Sequence, residues 1–459
     1  MNEQKAKKIG LWNIVGLGVG GAVGSGIFVT LGAALAYTGR SILPVTVICA
    51  FYMLLAYWYN LGLSGIFVIE GGDYSMKGML LPPLLTGFGG WANVIWAFGC
   101  TSYALAITSY LGDLWPQIQN NNTLVSTVIL SLFFLLTIKG SRFVTLFQNA
   151  VTAMLVIALI SFIIFGLPNV NIPLFFDSSY DGGLFYGGIA GLISAIAIMG
   201  WACQGSTMGP VGVVVVTKNP KKNIPLGIIL STVIVSIIYG LMSFVAAGIL
   251  PYEQVANQNL SIVAREILPS GLFAFFVIGG GICAIMSSFL MVLVMIRYPL
   301  IHMANDGWLP PVFKKQTKDG YPYMCYLLVY IIALIPILTK MSVSNAISML
   351  MIPTMLINVY LNAYCAKVPE KFPDQFAKRS LKISPGIYKL CSWLGSFCAG
   401  IIALTLFKEL NFSNAVIALC IILFPLLFSW IALKKTVNIH TLNSQKEEIL
   451  KNALSVENN

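Results

Sequence analysis

Six glycines fall within eleven residues near the start of the chain: Gly16, Gly18, Gly20, Gly21, Gly24 and Gly26. Each weakens a helix by roughly 1 kcal/mol relative to alanine, and a plain membrane anchor has no use for them. One reading is close helix packing of the small-xxx-small kind, Gly20 to Gly24 for example. The other is a helix interrupted near Gly24-Ser25-Gly26. Such an interruption frees the backbone N–H groups of Gly26, Ile27 and Phe28 at the start of a half-helix, where the dipole favours a carboxylate. It also frees carbonyls just before it, near Ala22 and Val23, which suit an ammonium or a cation. Unpaired backbone at membrane depth is tolerated only where it is buried in protein or lines a cavity.

A second stretch has the same character. Gly200-Trp201-Ala202-Cys203-Gln204-Gly205-Ser206-Thr207 is polar and glycine-rich inside a run of Ile, Ala and Val, and Pro210 and Gly212 follow. Taken alone, Gln204 is equally a satisfied interhelical hydrogen bond. Trp201 offers a cation–π face worth ~0.5–2 kcal/mol, or simple packing. A third group, Ala284, Ser287 and Ser288, offers a carbonyl and two hydroxyls, the hard oxygens that a sodium ion requires. Its plainer reading is a pair of serines bonding their own helix.

Enzyme chemistry finds little footing. Gly16, Gly18 and Gly21 match GxGxxG, but a dinucleotide site needs a preceding strand and an acid about 20 residues on. Here the pattern lies inside an apolar run and the next acid is Glu70. No Gly-Lys dipeptide exists for a Walker-type phosphate loop. The nine cysteines form no CxxC pair, lie mostly in apolar runs, and read as small hydrophobes. The two histidines, His302 and His440, are too far apart in sequence to suggest a metal pair.

The elements that must position these groups are membrane spans. Of 459 residues, 58% are hydrophobic and 9% charged, against about 25% charged in soluble chains. That excludes a soluble enzyme, a nucleic-acid-binding domain and a disordered scaffold. Twelve apolar runs are present, at 11–37, 42–69, 88–112, 124–138, 143–167, 184–216, 226–250, 272–296, 323–338, 344–364, 387–406 and 415–433. Most reach the roughly 20 residues that cross a bilayer, and 124–138 must borrow polar flanks such as Thr123. The first run exceeds the roughly 7–15 residues of a signal sequence, so it is expected to remain as a span. With both chain ends in the cytoplasm, all but four of the 27 Lys and Arg residues fall inside. The exceptions are Arg40, Arg265, Lys340 and Lys408, and this asymmetry follows the positive-inside rule.

The organisation read from this pattern is a cytoplasmic start (1–10), a first five-span set (11–167), a second (184–365), two final spans (387–433) and a polar tail (434–459) with no core of its own. Each interruption falls in the first span of its set, the mark of an inverted five-plus-five repeat with a site at the repeat interface.

Four motifs then carry a family resemblance. Gly24-Ser25-Gly26-Ile27-Phe28 resembles the GSGIF signature of amino acid–polyamine–organocation permeases, and Gly71-Gly72-Asp73-Tyr74 resembles their loop after the second span. Lys218-Asn219-Pro220-Lys221-Lys222-Asn223-Ile224-Pro225 resembles their NPxxxIP loop, and Arg297 through Met303-Ala304-Asn305-Asp306-Gly307-Trp308-Leu309-Pro310 their loop after the eighth. The resemblance implies an all-α integral membrane protein of twelve helices with the leucine-transporter-like fold, moving amino acids or related amines by alternating access. It implies a substrate site at Val23, Gly24, Ser25, Gly26 and Ile27, with Trp201, Cys203, Gln204, Gly205 and Ser206 lining the side-chain pocket. Sodium-driven relatives use a pattern like Ala284-x-x-Ser287-Ser288 facing carbonyls that here would be Gly20 and Val23. The chain departs from the family in two places. Ser206-Thr207-Met208 and Thr217 stand where many members carry glutamate, and no lysine lies between Arg142 and Leu167.

The expected cargo is therefore a zwitterionic amino acid, since no acid lies at mid-depth to neutralise a dicationic polyamine. A cationic amino acid or polyamine transporter, and a non-transporting sensor of the same fold, are the alternatives. Proton coupling lacks a mid-membrane carrier, while exchange and sodium coupling stay open. No cofactor other than sodium and no nucleic-acid partner is implied, and the oligomeric state is undetermined.

Overall fold

The computed structural model describes residues 8–23, 26–69, 72–139, 141–175, 186–318 and 320–455. Gly24, Ser25 and Gly71 lie outside the described residues. The first run forms α1 (Leu11–Val23) and α2 (Gly26–Thr38), and the second α3 (Ile42–Ala56) and α4 (Trp58–Ser64). The short α5 (Gly72–Leu80) precedes α6 (Pro83–Leu114), α7 (Asn122–Leu136) and α8 (Ser141–Gly166). The sixth run is α9 (Gly188–Cys203) and α10 (Gly205–Val211), and the seventh is α11 (Pro220–Gly248). Two short helices, α12 (Tyr252–Val255) and α13 (Ser261–Ile267), lead to the eighth run. That run comprises α14 (Ser270–Phe275), a π-helical stretch over Phe276–Ile282, and α15 (Cys283–Met295). Then come α16 (Arg297–Asn305), α17 (Tyr323–Leu338), α18 (Val343–Cys365), α19 (Val368–Lys371), α20 (Pro373–Ala377), α21 (Pro385–Lys408), α22 (Phe412–Lys435) and α23 (Ile439–Ser455).

Among the described residues, eight helical stretches are long and apolar enough to cross a membrane, and four shorter apolar helices accompany them. Each of the twelve runs is mainly helical over its described residues, with 65–69 of the second run outside helix. The fourth gains its length from Asn122 and Thr123, the polar flank it was expected to borrow. Prolines open α6, α11 and α21, where a missing N–H costs nothing. Ser342, Ser384 and Asn411 cap α18, α21 and α22 by accepting from a backbone N–H three residues on.

The two interrupted runs cross-pair. The first half of one packs on the second half of the other, α1 against α10, and α2 lies along α9. Glycines set these approaches. At Gly26 a Cβ would collide with Ala202, at Gly205 with the backbone of Gly21, and at Gly18 with Ser231. Gly16 and Gly20 meet nothing. Both readings of the glycine-rich stretch therefore apply, to different glycines, and Gly20 of the packing example makes no such contact. α11 covers α1 and α10 from one side, while α6 forms the opposite wall with α15, α17 and α18 around it.

The polar tail carries a helix that packs on other elements: α23 folds against α5 and α20, with Ala453 buried. Its Leu442, Ile449 and Leu450 share an apolar stripe that packs on the core, which a composition average over 26 mostly polar residues conceals.

Candidate functional site

A cavity of about 50 Å3 lies where the interruptions meet. Gly21, Ala22 and Gly26 supply one wall from the first run, and Trp201, Gln204 and Gly205 a second from the sixth. Trp96 and Tyr103 of α6 close a third side. Ser288, Met291 and Met295 of α15, with Met208 and Gly209 of α10, line the remainder. Among the described residues, no acidic or basic side chain lines this cavity. Tyr103 stacks on Trp201, ring centroids 5.2 Å apart and planes at 28°, a contact worth ~0.5–1.5 kcal/mol beyond area burial.

Hydroxyls meet several carbonyls around the cavity. The Ala22 carbonyl accepts from the Tyr239 hydroxyl of α11 at 2.6 Å, and the same hydroxyl lies 3.3 Å from the Ala202 carbonyl. Tyr110 donates to the Phe28 carbonyl at 2.9 Å, and Thr30 to that of Gly26 at 2.9 Å. Phe28 is also held edge-on by Tyr110 and against Phe276 of the π-helical stretch. Gln204 accepts at Oε1 from the Tyr57 hydroxyl at 2.8 Å, which orients its amide. Ser288 Oγ is buried with no hydrogen-bond partner, an uncommon state for a buried hydroxyl.

The sixth run departs from expectation in degree. It was read as interrupted across residues 200–207, yet helix runs to Cys203 and resumes at Gly205. Gln204 itself keeps right-handed helical angles, and its N–H still reaches the Gly200 carbonyl at 3.1 Å. The hitch is local because Gly205 must slip against the Gly21 backbone, and one residue suffices for that.

Of the sequence-selected residues, Gly26, Trp201, Gln204, Gly205 and Ser288 line the cavity. Val23, Ile27 and Ala284 are buried beside it without lining it, as is Ser287, and Gly20 does not line it either. Cys203 and Ser206 do not line it. Ser206 donates to the Cys203 carbonyl at 2.9 Å and accepts from Thr232 of α11 at 3.2 Å, so its hydroxyl serves the helix pair. Sequence reasoning missed Trp96, Tyr103, Met208, Met291 and Met295. Trp96 and Tyr103 stand seven residues apart, two turns along one helix face, which was visible. That this face looks onto the interruptions was not.

A many-span bundle with a cavity where its first and sixth apolar runs meet has the architecture of a membrane transport protein. The sequence pattern of the amino acid permease family matches residues 9–431. The chain belongs to that family and is a transporter, not an enzyme. It is 25% identical to the methylthioribose transporter of Bacillus subtilis, over 68% of this chain and 70% of the relative. It is 24% identical to the lysine-specific permease of Lactococcus lactis, over 71% of this chain and 67% of the relative. It is also 26% identical to an uncharacterized protein of Methanocaldococcus jannaschii, over 69% and 72%.

Proposed function

We propose that the chain carries a zwitterionic amino acid with an uncharged side chain across the cell membrane by alternating access. The observation that carries this reading is a cavity between the first and sixth runs, with no charged side chain among the described residues of its wall. A cargo whose own charges cancel needs none. Its carboxylate would sit at the start of α2, near Gly24, Ser25 and the N–H groups of Gly26 and Ile27. Its ammonium would face the carbonyls at the end of α1, around Val23, and the Gln204 amide. Trp201, Tyr103 and the methionines would surround its side chain. The names of the two characterised relatives differ in cargo charge, so they do not choose between neutral and cationic substrates. The absence of a lining acid favours the neutral one over the cationic amino acid or polyamine alternative. We further read the structure as two five-span sets, 11–167 and 184–365, with both chain ends in the cytoplasm, the side where lysine and arginine concentrate.

Coupling has two readings. Exchange of one amino acid for another needs no ion. Sodium coupling is favoured by one feature, the unpartnered Ser288 hydroxyl on the cavity wall; α15, which also carries Ala284 and Ser287, packs beside α1 with Gly20 and Val23.

The test is reconstitution of purified protein in liposomes, with uptake of radiolabelled neutral amino acids as the expected result. Inertness toward all twenty amino acids would remove the transport reading, and stronger competition by lysine or a polyamine than by any neutral amino acid would move the substrate class. Uptake in sodium against choline, with and without internal amino acid, separates symport from exchange.

A further inference from the structure

We propose that α23 is a strap that holds the mouth on the chain-end side closed, and that its release raises the transport rate. This rests on the transport reading above. Alternating access requires the walls of the cavity where the first and sixth runs meet to part. Those walls belong to two groups of helices: α1, α9 and α10 on one side, α6 and α15 on the other.

The strap is anchored on both. Its far end sits on the first group, where Lys221, at the start of α11, donates to the Ala453 carbonyl at 2.7 Å. Lys378 donates to that of Leu454 at 3.1 Å. Those carbonyls belong to the last turn of α23 and have no partner within the helix, and the negative end of its dipole favours two ammonium groups there. α11 packs directly on α1 and α10.

Its near end sits on the second group. Thr436 Oγ1 donates to the Gly307 carbonyl at 2.7 Å, and Gln445 Nε2 to Asp306 at 3.3 Å. Asp306 also accepts from Tyr74 of α5 at 2.6 Å, and α5 and α16 lie against α6. Gly307 is at φ +90°, and a Cβ there would strike Thr436. Beneath the strap lies a second cavity of about 530 Å3, between Leu442, Lys446 and Ile449 of α23 and Tyr74, Thr86 and His302 below. α23 forms one wall of that chamber. Parting the two groups stretches α23 or tears one end free.

The experiment compares wild type with two variants, a chain ending at Lys435 and Ala453→Arg, which expels the strap by crowding a buried position. Each also carries Met295→Cys, and peptide mass spectrometry follows maleimide labelling at that position in nanodiscs. Labelling is expected to run about fivefold faster in both variants, the change that losing roughly one net hydrogen bond's worth of closure produces. In liposomes, without the 295 substitution, Vmax should rise by a similar factor while KM stays within about twofold. Thermal melting confirms that each variant is folded. Equal labelling rates overturn the strap, and faster labelling with Vmax at or below wild type overturns its inhibitory role. If wild type transports nothing, the labelling comparison still decides the strap while the transport reading fails alone.

Discussion

The two interruptions differ in kind. At the first, Gly24 and Ser25 lie outside the described residues, and the flanking chain offers backbone, with the Ala22 carbonyl met by the Tyr239 hydroxyl. The sixth is a hitch at Gln204 with helical geometry on both sides, and it offers side chains, Trp201 and Gln204. A cargo's charged ends are the same for every amino acid, and backbone recognises them without regard to side chain. The variable part of the cargo meets side chains that substitution can change. The pairing of one backbone site with one side-chain site therefore divides general recognition from selectivity.

Four substitutions break or sharpen that contrast. Gly205→Val has the largest expected effect, because its side chain would occupy the Gly21 backbone. Uptake should fall below detection, and stability by about 1–3 kcal/mol from overpacking in a thermal melt. Retained uptake would show that the two interruptions do not need their close approach. Trp201→Ala follows: losing the stacked ring on Tyr103 should raise KM roughly 10- to 100-fold, from about 1.5–3 kcal/mol of burial, while altering the ranking of neutral amino acids in competition. A uniform loss across substrates would place Trp201 with the general site instead. Tyr239→Phe frees the Ala22 carbonyl and removes one buried bond. It should weaken all substrates equally, by about fivefold in KM for ~1 kcal/mol, and any change in ranking would undo the proposed division. Ser288→Ala is the smallest. Under sodium coupling it should raise the sodium concentration for half-maximal uptake by a few-fold, with substrate ranking intact. No change in sodium dependence assigns the hydroxyl elsewhere.

Much of this contrast was legible in the residues. Glycine density within an apolar run marked both interruptions because glycine in a helix interior is costly and needs a reason. The extent was not legible. Gly200 through Thr207 reads as a long break, yet tertiary packing on α1 and α11 keeps all but Gln204 in helix. Ser206 looked like a ligand by type and position, but Thr232 and the Cys203 carbonyl take its hydroxyl, and such partners lie far away in sequence. The docking of the tail was not legible either: α23 has too few apolar residues to show in an average, and it is met by Lys221 of α11 and by Lys378, both distant in sequence.

What the sequence determined alone was solvent, span number and the places where helices falter. Those follow from local composition, since a chain with so little charge can only face lipid and a glycine-rich segment is locally a poor helix. Which faces meet was decided by the folded bundle. The wall of Trp96, Tyr103, Met291 and Met295, the Tyr239 hydroxyl on the Ala22 carbonyl, and the strap across both helix groups arise from contacts between segments distant in sequence, and local chemistry carries no record of such pairings.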